Sequence, residues 1–373
     1  IIENYAELTK FLKDKGYEFK SATDTEVIPN LIHYYYNGDL FKAVAKTIER
    51  LEGSYALGVI CGNEPDKIVA VRKDSPLIVG LGDNEKFIAS DIPAVLNYTR
   101  DIYLLEDKEI VVITKNSAEV FNLNGEKISK EIYKVTWNED AAEKGGYDSF
   151  MLKEIHEQPK AIRDTMTGRV LLNDKVKFED FNLTLEELNE IDRIYIIACG
   201  TAYNAGLMGK VAIEKLAKIP VEVEIASEFR YREPLVTNKT LIITLSQSGE
   251  TADTLAVLRD AKKVGAKTLA VTNVVGSSIS READNVIYTM AGPEIAVAST
   301  KAYTTQVVVM NLLGMYFADL KGILDKDVEK ELKESLLSLP EKIEAVLEMK
   351  SQVAEVSKIL AEETDLFYLG RGA

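Results

Sequence analysis

The sequence is poor in the residue types that metal binding and nucleophilic catalysis draw on most, with two cysteines, two histidines and one tryptophan in 373 residues. Cys61 and Cys199 each sit within or at the end of an apolar, strand-like run, which argues against a disulfide framework and for a reducing compartment. Both read as packing residues, and no basic side chain lies beside Cys199 in sequence to activate it. His33 and His156 stand in helical surroundings with no Cys, His or Asp cluster nearby, so they read as structural and no metal is expected. No run of about 18 or more apolar residues occurs, and no basic-then-apolar leader is present, so neither a membrane span nor a signal peptide is expected and the chain is placed in the cytoplasm. Positive charge is also short: 45 Lys and Arg against 60 Asp and Glu give a net charge of −15, which opposes general affinity for nucleic acid or anionic membranes. Neither G-x-x-x-x-G-K-[ST] nor G-x-G-x-x-G occurs, so nucleotide binding loses its main support.

What remains is ordinary globular composition, 46% hydrophobic and 28% charged, in a chain long enough for two or three domains. It begins at Ile1, inside what reads as a secondary-structure element, as a fragment or processed product would. Residues 1–51 have helical spacing in two stretches, with a break at "NGD", and "TDTE" at 23–26 has the form of a capping box from Thr23 to Glu26. From 53 to about 137 the pattern turns to short β-rich runs, among them "SYALGVIC", "KIVAVRK" and "IYLLEDKEIVVIT", which predicts an antiparallel meander and an α+β unit. The polar stretch "NEDAAEKGGYD" has linker composition. Beyond it, strands of nearly continuous apolar residues ("DRIYIIA", "TLIITL", "KTLAVTN") alternate with amphipathic helices, the pattern of a doubly wound parallel sheet covered on both faces. Residues 321–364 read as consecutive helices with Pro340 near the start of one, and "DLFYLGRGA" as a fresh strand and turn.

In the α/β part, three stretches rich in small and hydroxylated residues fall where strand carboxyl ends meet helix amino ends: "ACGTAYNAG", "SQSGET" and "ASTKAYTTQ". Ligands of such sheets lie at those ends. A helix amino end needs a single Ser or Thr cap, whereas residues 246–251 crowd three hydroxyls and an amide together. A phosphate monoester, whose oxygens only accept hydrogen bonds, fits that surplus: Ser246, Ser248 and Thr251 supply hydroxyls, Gln247 an amide, and Gly249 lets backbone come close. Capping with turn formation is the competing reading of the same residues, and a capping role is the competing reading of Asp24.

Ten stretches in order, "IIENYAEL", "TDTEV", "EGSYAL", "KEIHEQPKAI", "CGTAYNAG", "EIASEFRYR", "LSQSGETADT", "GSSISREAD", "EIAVASTKAYTTQ" and "LGRG", closely resemble the glutamine–fructose-6-phosphate aminotransferase (isomerising) family. The resemblance implies a class II glutamine amidotransferase domain of the N-terminal-nucleophile type over 1–138, a linker over 139–148, a first sugar-isomerase (SIS) domain over 149–345, and the helix and first strand of a second over 346–373. It further implies glutamine and fructose 6-phosphate as substrates, glucosamine 6-phosphate as product, amino-sugar biosynthesis as the setting, a homodimer, and neither metal nor cofactor. By position, Ser246, Gln247, Ser248 and Thr251 would hold the phosphate, Thr201 and Ala202 would line the sugar side, Val297 would offer backbone contact, and Asp24 would bind the glutamine α-amino group.

Two positions depart from the family pattern: Ala202 stands where serine is common, removing a hydroxyl donor, and Ala296 where glycine is common. The cysteine nucleophile with its Asn-Gly oxyanion pair, and the family's glutamate base, ring-opening histidine and Schiff-base lysine, have no counterparts in the sequence, which predicts that this chain alone catalyses neither half-reaction. A noncatalytic sugar-phosphate sensor is the alternative, though it leaves the glutaminase-like β region unexplained. Another amidotransferase of the same glutaminase fold would need its own phosphate motifs, and none is visible.

Overall fold

The computed structural model of the chain describes residues 1–92, 94–135, 144–179, 181 and 183–370. They form two compact units, Ile1–Ala142 and Glu143–Ala373. The 138/139 boundary and half of the expected linker, residues 139–143, lie outside the described residues.

The first unit opens with helices α1 (Tyr5–Asp14), α2 (Val27–Tyr35) and α3 (Leu40–Ile48). Asp39 caps α3 by accepting from the Lys42 amide, which explains the break at "NGD". The capping box expected at 23–26 does not form: Thr23 makes no side-chain cap bond, because Glu26 reaches past it to the amides of Lys20 and Ser21. Strands β1 (Tyr55–Cys61), β2 (Glu64–Lys73), β3 (Ile78–Leu81), β4 (Lys86–Ala89), β5 (Asp101–Leu104), β6 (Ile110–Thr114), β7 (Ala118–Phe121), β8 (Lys127–Ile128) and β9 (Tyr133–Lys134) follow. They make two antiparallel sheets, ordered β1-β2-β6-β7-β8 and β4-β3-β5-β9. The run "IYLLEDKEIVVIT" therefore divides, its two halves joining different sheets on either side of the polar "EDK". Val79, Leu105, Val111 and Val120 pack in a core shared by strands of both sheets. On the other face of the first sheet, Leu8, Leu31 and Val44 from the helices pack with Val69 and Val71.

The second unit begins with α4 (Phe150–Met166) and the short α5 (Leu185–Glu190), whose Thr184–Glu187 capping box is complete. Then strands and helices alternate: β10 (Arg193–Ala198), α6 (Thr201–Ala217), β11 (Val221–Ile225), α7 (Ala226–Tyr231), β12 (Thr240–Ser246), α8 (Ala252–Lys263), β13 (Lys267–Thr272), α9 (Ser278–Glu282) and β14 (Asn285–Tyr288). Every pair in this sheet is parallel, and the order is β11-β10-β12-β13-β14. The two-residue period of a strand sends Ile194, Ile196 and Ala198 into the core under α6 and Tyr195 and Ile197 into the core under α7 and α8. Burial on both faces is why these strands lack polar alternation.

The long helix α10 (Lys301–Leu320) packs on α6 in the larger core. Small residues set that approach: a Cβ on Gly314 would lie 3.0 Å from the Ala212 carbonyl carbon. Helices α11 (Lys326–Leu337), α12 (Leu339–Leu347, with Pro340 in its first turn) and α13 (Lys350–Leu360) follow. The strand expected after α13 is not formed among the described residues: 361–370 are exposed, and an extended segment without a neighbour has nothing to pair its N–H and C=O groups. The close α6–α10 contact predicts that Gly314→Val overpacks the core and costs about 1–3 kcal/mol, read as a lower urea midpoint at unchanged slope.

Candidate functional site

Strand order fixes where a ligand can enter the second unit. After β10 the chain turns to β11 on one side, and later returns to place β12 on the other. The crevice at such a reversal lies outside the strand carboxyl ends. A cleft of about 190 Å³ occupies it, lined by all seven residues expected on the sugar-phosphate side: Thr201, Ala202, Ser246, Gln247, Ser248, Thr251 and Val297. That volume is below the roughly 300–1,000 Å³ of drug-sized pockets, so it suits a small polar ligand better than a dinucleotide.

Two helices present their amino ends here without side-chain caps. Helix α6 starts at Gly200, which has no side chain to cap it and a φ of 58°. Thr251 occupies the cap position of α8, yet its hydroxyl makes no cap bond; it lies 3.2 Å from the Ser246 hydroxyl. Of the competing reading of "SQSGET", capping with turn formation, the helix cap is not formed by Thr251, whereas Ser246 and Ser248 do hold the turn. Unsatisfied amides and the helix dipole make such ends receptive to anions.

The loop between β12 and α8 is held in part by its own hydroxyls, which accept from loop amides. The Gly249 amide donates to the Ser246 hydroxyl at 3.0 Å, and the Glu250 amide to the Ser248 hydroxyl at 3.2 Å. Carbonyls pointing the other way accept from below: Gln247 from the Asn273 amide and Gly249 from the Ile279 amide. Glu250 turns away from the cleft and grips the start of α9, accepting from the Ser278 amide and hydroxyl at 2.8 and 2.7 Å. "GSSIS" is thereby the footing of the loop. Gly249 has a φ of 66°, and a Cβ there would come within 2.2 Å of the Ser277 hydroxyl oxygen and 2.6 Å of its Cβ.

The third expected helix end differs. Glu294 accepts from the Thr300 and Ala302 amides at 2.9 and 3.0 Å, and from the Ser299 hydroxyl at 2.9 Å. The protein's own carboxylate therefore already closes the amino end of α10, and "ASTKAYTTQ" does not present an open anion site. The segment before it is fixed from α4, where buried Glu154 accepts from the Ile295 amide at 2.6 Å and the Ala296 amide at 3.2 Å. Burial pushes the Glu154 carboxyl above its ordinary range, the two amides pull against that, and the Glu294 charge adds to the rise while Lys301 opposes it. Lys301, also buried, donates to Glu157 at 2.6 Å. These bonds hold Val297 with its side chain fully exposed, so that only its backbone can serve the cleft interior.

Sequence reasoning did not assign Glu294, Ala296, Ser299, Gln306 or Cys199 to this cleft, yet all five line it. Glu154 and Lys301 were missed too, since their signal, charge in otherwise ordinary helical sequence, becomes visible only once α4 and α10 are packed together. Cys199 is half-buried and also contacts the core beneath α7 and α8, so the packing role expected of it coexists with a place at the cleft wall. Asp24 lies elsewhere, in the first unit, where it accepts from the Ile2 amide at 2.6 Å. A cavity of about 580 Å³ in that unit is lined mostly by apolar side chains such as Ile28, Ile32 and Leu57, and Asp24 is not among its lining residues. His33 pairs with the Tyr17 hydroxyl at 2.8 Å and His156 with the Leu152 carbonyl at 2.8 Å. Among the described residues no group of three or more His, Cys, Asp or Glu side chains could hold a metal ion, and no helix is long and apolar enough to cross a membrane.

The second unit thus carries a SIS domain, whose family model matches residues 187–316, and the first carries a glutamine amidotransferase domain, matched over residues 1–97. Over its whole length the chain resembles glutamine–fructose-6-phosphate aminotransferase (isomerising), at 63% identity to the protein of that name from Clostridium tetani and 62% to that from Clostridium perfringens. It spans 61% of the length of each. A solved C-terminal domain of glucosamine-fructose-6-phosphate aminotransferase from Francisella tularensis aligns at 39% identity with a TM-score of 0.56, covering 59% of this chain and 62% of that one.

The backbone demand at Gly249 gives a direct prediction. Gly249→Ala should lose about 1–3 kcal/mol of stability, from the positive φ and the clash with Ser277, and should weaken anion binding in the cleft. Thermal unfolding with and without inorganic phosphate measures both, and an unchanged melting temperature would show that the loop is not held as described.

Proposed function

We propose that this chain is the part of a glutamine–fructose-6-phosphate aminotransferase that holds the sugar phosphate and carries a portion of the glutamine site. The reading rests on one observation above all: two uncapped helix amino ends and the hydroxyls of Ser246, Ser248 and Thr251 converge on a cleft at the sheet's reversal point. Those hydroxyls, the Gln247 carboxamide and the amides at the start of α8 donate to the phosphate of fructose 6-phosphate. Thr201 and the Ala202 backbone face the sugar, and Val297 contacts it through its backbone. With alanine at 202 the sugar side keeps the Thr201 hydroxyl alone of that pair. Whole-length similarity to named aminotransferases supports the reaction: glutamine supplies nitrogen, and fructose 6-phosphate becomes glucosamine 6-phosphate with release of glutamate.

On this reading residues 1–138 belong to an N-terminal-nucleophile-type glutaminase domain, 139–148 to a linker, 149–345 to the first SIS domain and 346–373 to the start of a second. The helices-over-two-antiparallel-sheets arrangement of the first unit supports the glutaminase assignment. Asp24 serves the glutamine α-amino group, the enzyme works as a cytoplasmic homodimer, and neither metal nor cofactor takes part.

Calorimetric titration with fructose 6-phosphate tests the phosphate cradle. Hydrogen bonds to a charged group contribute about 1.5–3 kcal/mol each, so Ser248→Ala with Thr251→Ala should weaken binding by at least about 100-fold. Unphosphorylated fructose should not bind detectably. Equal binding of both sugars, or an unimpaired double variant, would reject the cradle.

A further inference from the structure

Gln306 is an unspent polar group of the cleft. It sits in the second turn of α10, is 2% exposed and lines the cleft. Among the described residues its carboxamide has no hydrogen-bond partner, although its neighbours Thr305 and Asn311 bond to backbone carbonyls of their own helix. A carboxamide that lines the cleft from a buried residue and has no partner within the protein is placed to take a polar group of a ligand.

We propose that Gln306 is a binding and specificity residue for the sugar portion of the ligand, taking a hydroxyl of the sugar phosphate through its carboxamide. The inference rests on the sugar-phosphate reading of the cleft and refines it. A phosphate oxygen only accepts hydrogen bonds, whereas a sugar hydroxyl both donates and accepts, as does a carboxamide. The donors already gathered on residues 246–251 match the first, and Gln306 matches the second. Because a site built around a hydroxyl leaves its own amide unpaired when that hydroxyl is missing, Gln306 favours the sugar phosphate over a bare phosphate or an alkyl phosphate of similar length.

Gln306→Met keeps length and removes the amide, and it separates this role from a structural one. A structural glutamine stabilises the empty protein, so its loss lowers the melting temperature. A ligand-facing glutamine without partners in the protein contributes no such stabilisation. The full chain and its Gln306→Met variant are compared by thermal unfolding alone, with inorganic phosphate and with fructose 6-phosphate. The expected result is an equal or higher melting temperature for the ligand-free variant, an unchanged phosphate affinity, and a loss of at least about tenfold in fructose 6-phosphate affinity. A lower melting temperature without ligand, or fructose 6-phosphate affinity equal to that of the unmodified chain, overturns the proposal. Absence of any fructose 6-phosphate effect on the unmodified chain overturns the sugar-phosphate reading itself, and this inference with it.

Discussion

The site depends on helix ends that the protein leaves open. An α-helix starts with amide groups that have no partner within it, and a soluble protein ordinarily satisfies them with a side chain or water. Three helix amino ends lie by this cleft, and they are treated differently. Glu294 closes α10. α6 begins on a glycine, and α8 begins on a threonine whose hydroxyl stays beside Ser246. Open ends of this kind are receptive to anions, and the end occupied by Glu294 is not open.

Everything around the β12–α8 loop keeps that arrangement in place. Glu250 is the anionic residue nearest the cradle in sequence, and its carboxylate is committed to Ser278, away from the ligand. Asn273 and Ile279 hold the loop carbonyls outward. Glu154, from a helix far away in sequence, plays the corresponding part for residues 295 and 296. Loops that bind phosphate without a lysine or arginine rely on amides and hydroxyls held in advance, and here the loop is held by backbone amides of Asn273 and Ile279 and by its own Glu250. On the proposed reading a net charge of −15 is compatible with a dianionic ligand, since local donors, not the overall field, decide.

Much of this was legible in the sequence. Continuous apolar strands alternating with amphipathic helices specified the parallel sheet, and "DRIYIIA" and "TLIITL" fall on β10 and β12. The seven cleft residues named from sequence all meet in one cleft. What escaped has a common cause: it depends on partners distant in the chain. Nothing local shows that "EDK" at 106–108 separates strands of different sheets, or that Glu26 would prefer Lys20 and Ser21 to Thr23. Glu294 looked like any loop carboxylate until the fold set it over the end of α10. Gln306 closes the stretch "ASTKAYTTQ", but nothing local shows that it is buried at the cleft wall.

The central claim is that phosphate sits on the β12–α8 loop, and the most direct measurement is residue-resolved amide NMR of the deuterated chain titrated with fructose 6-phosphate. The account predicts that the largest shifts fall on the amides of residues 247–253, with smaller ones at Thr201 and Val297, and that residues 300–302 move little. Shifts centred on residues 300–302, or spread over surface lysines without effect on 247–253, would contradict it.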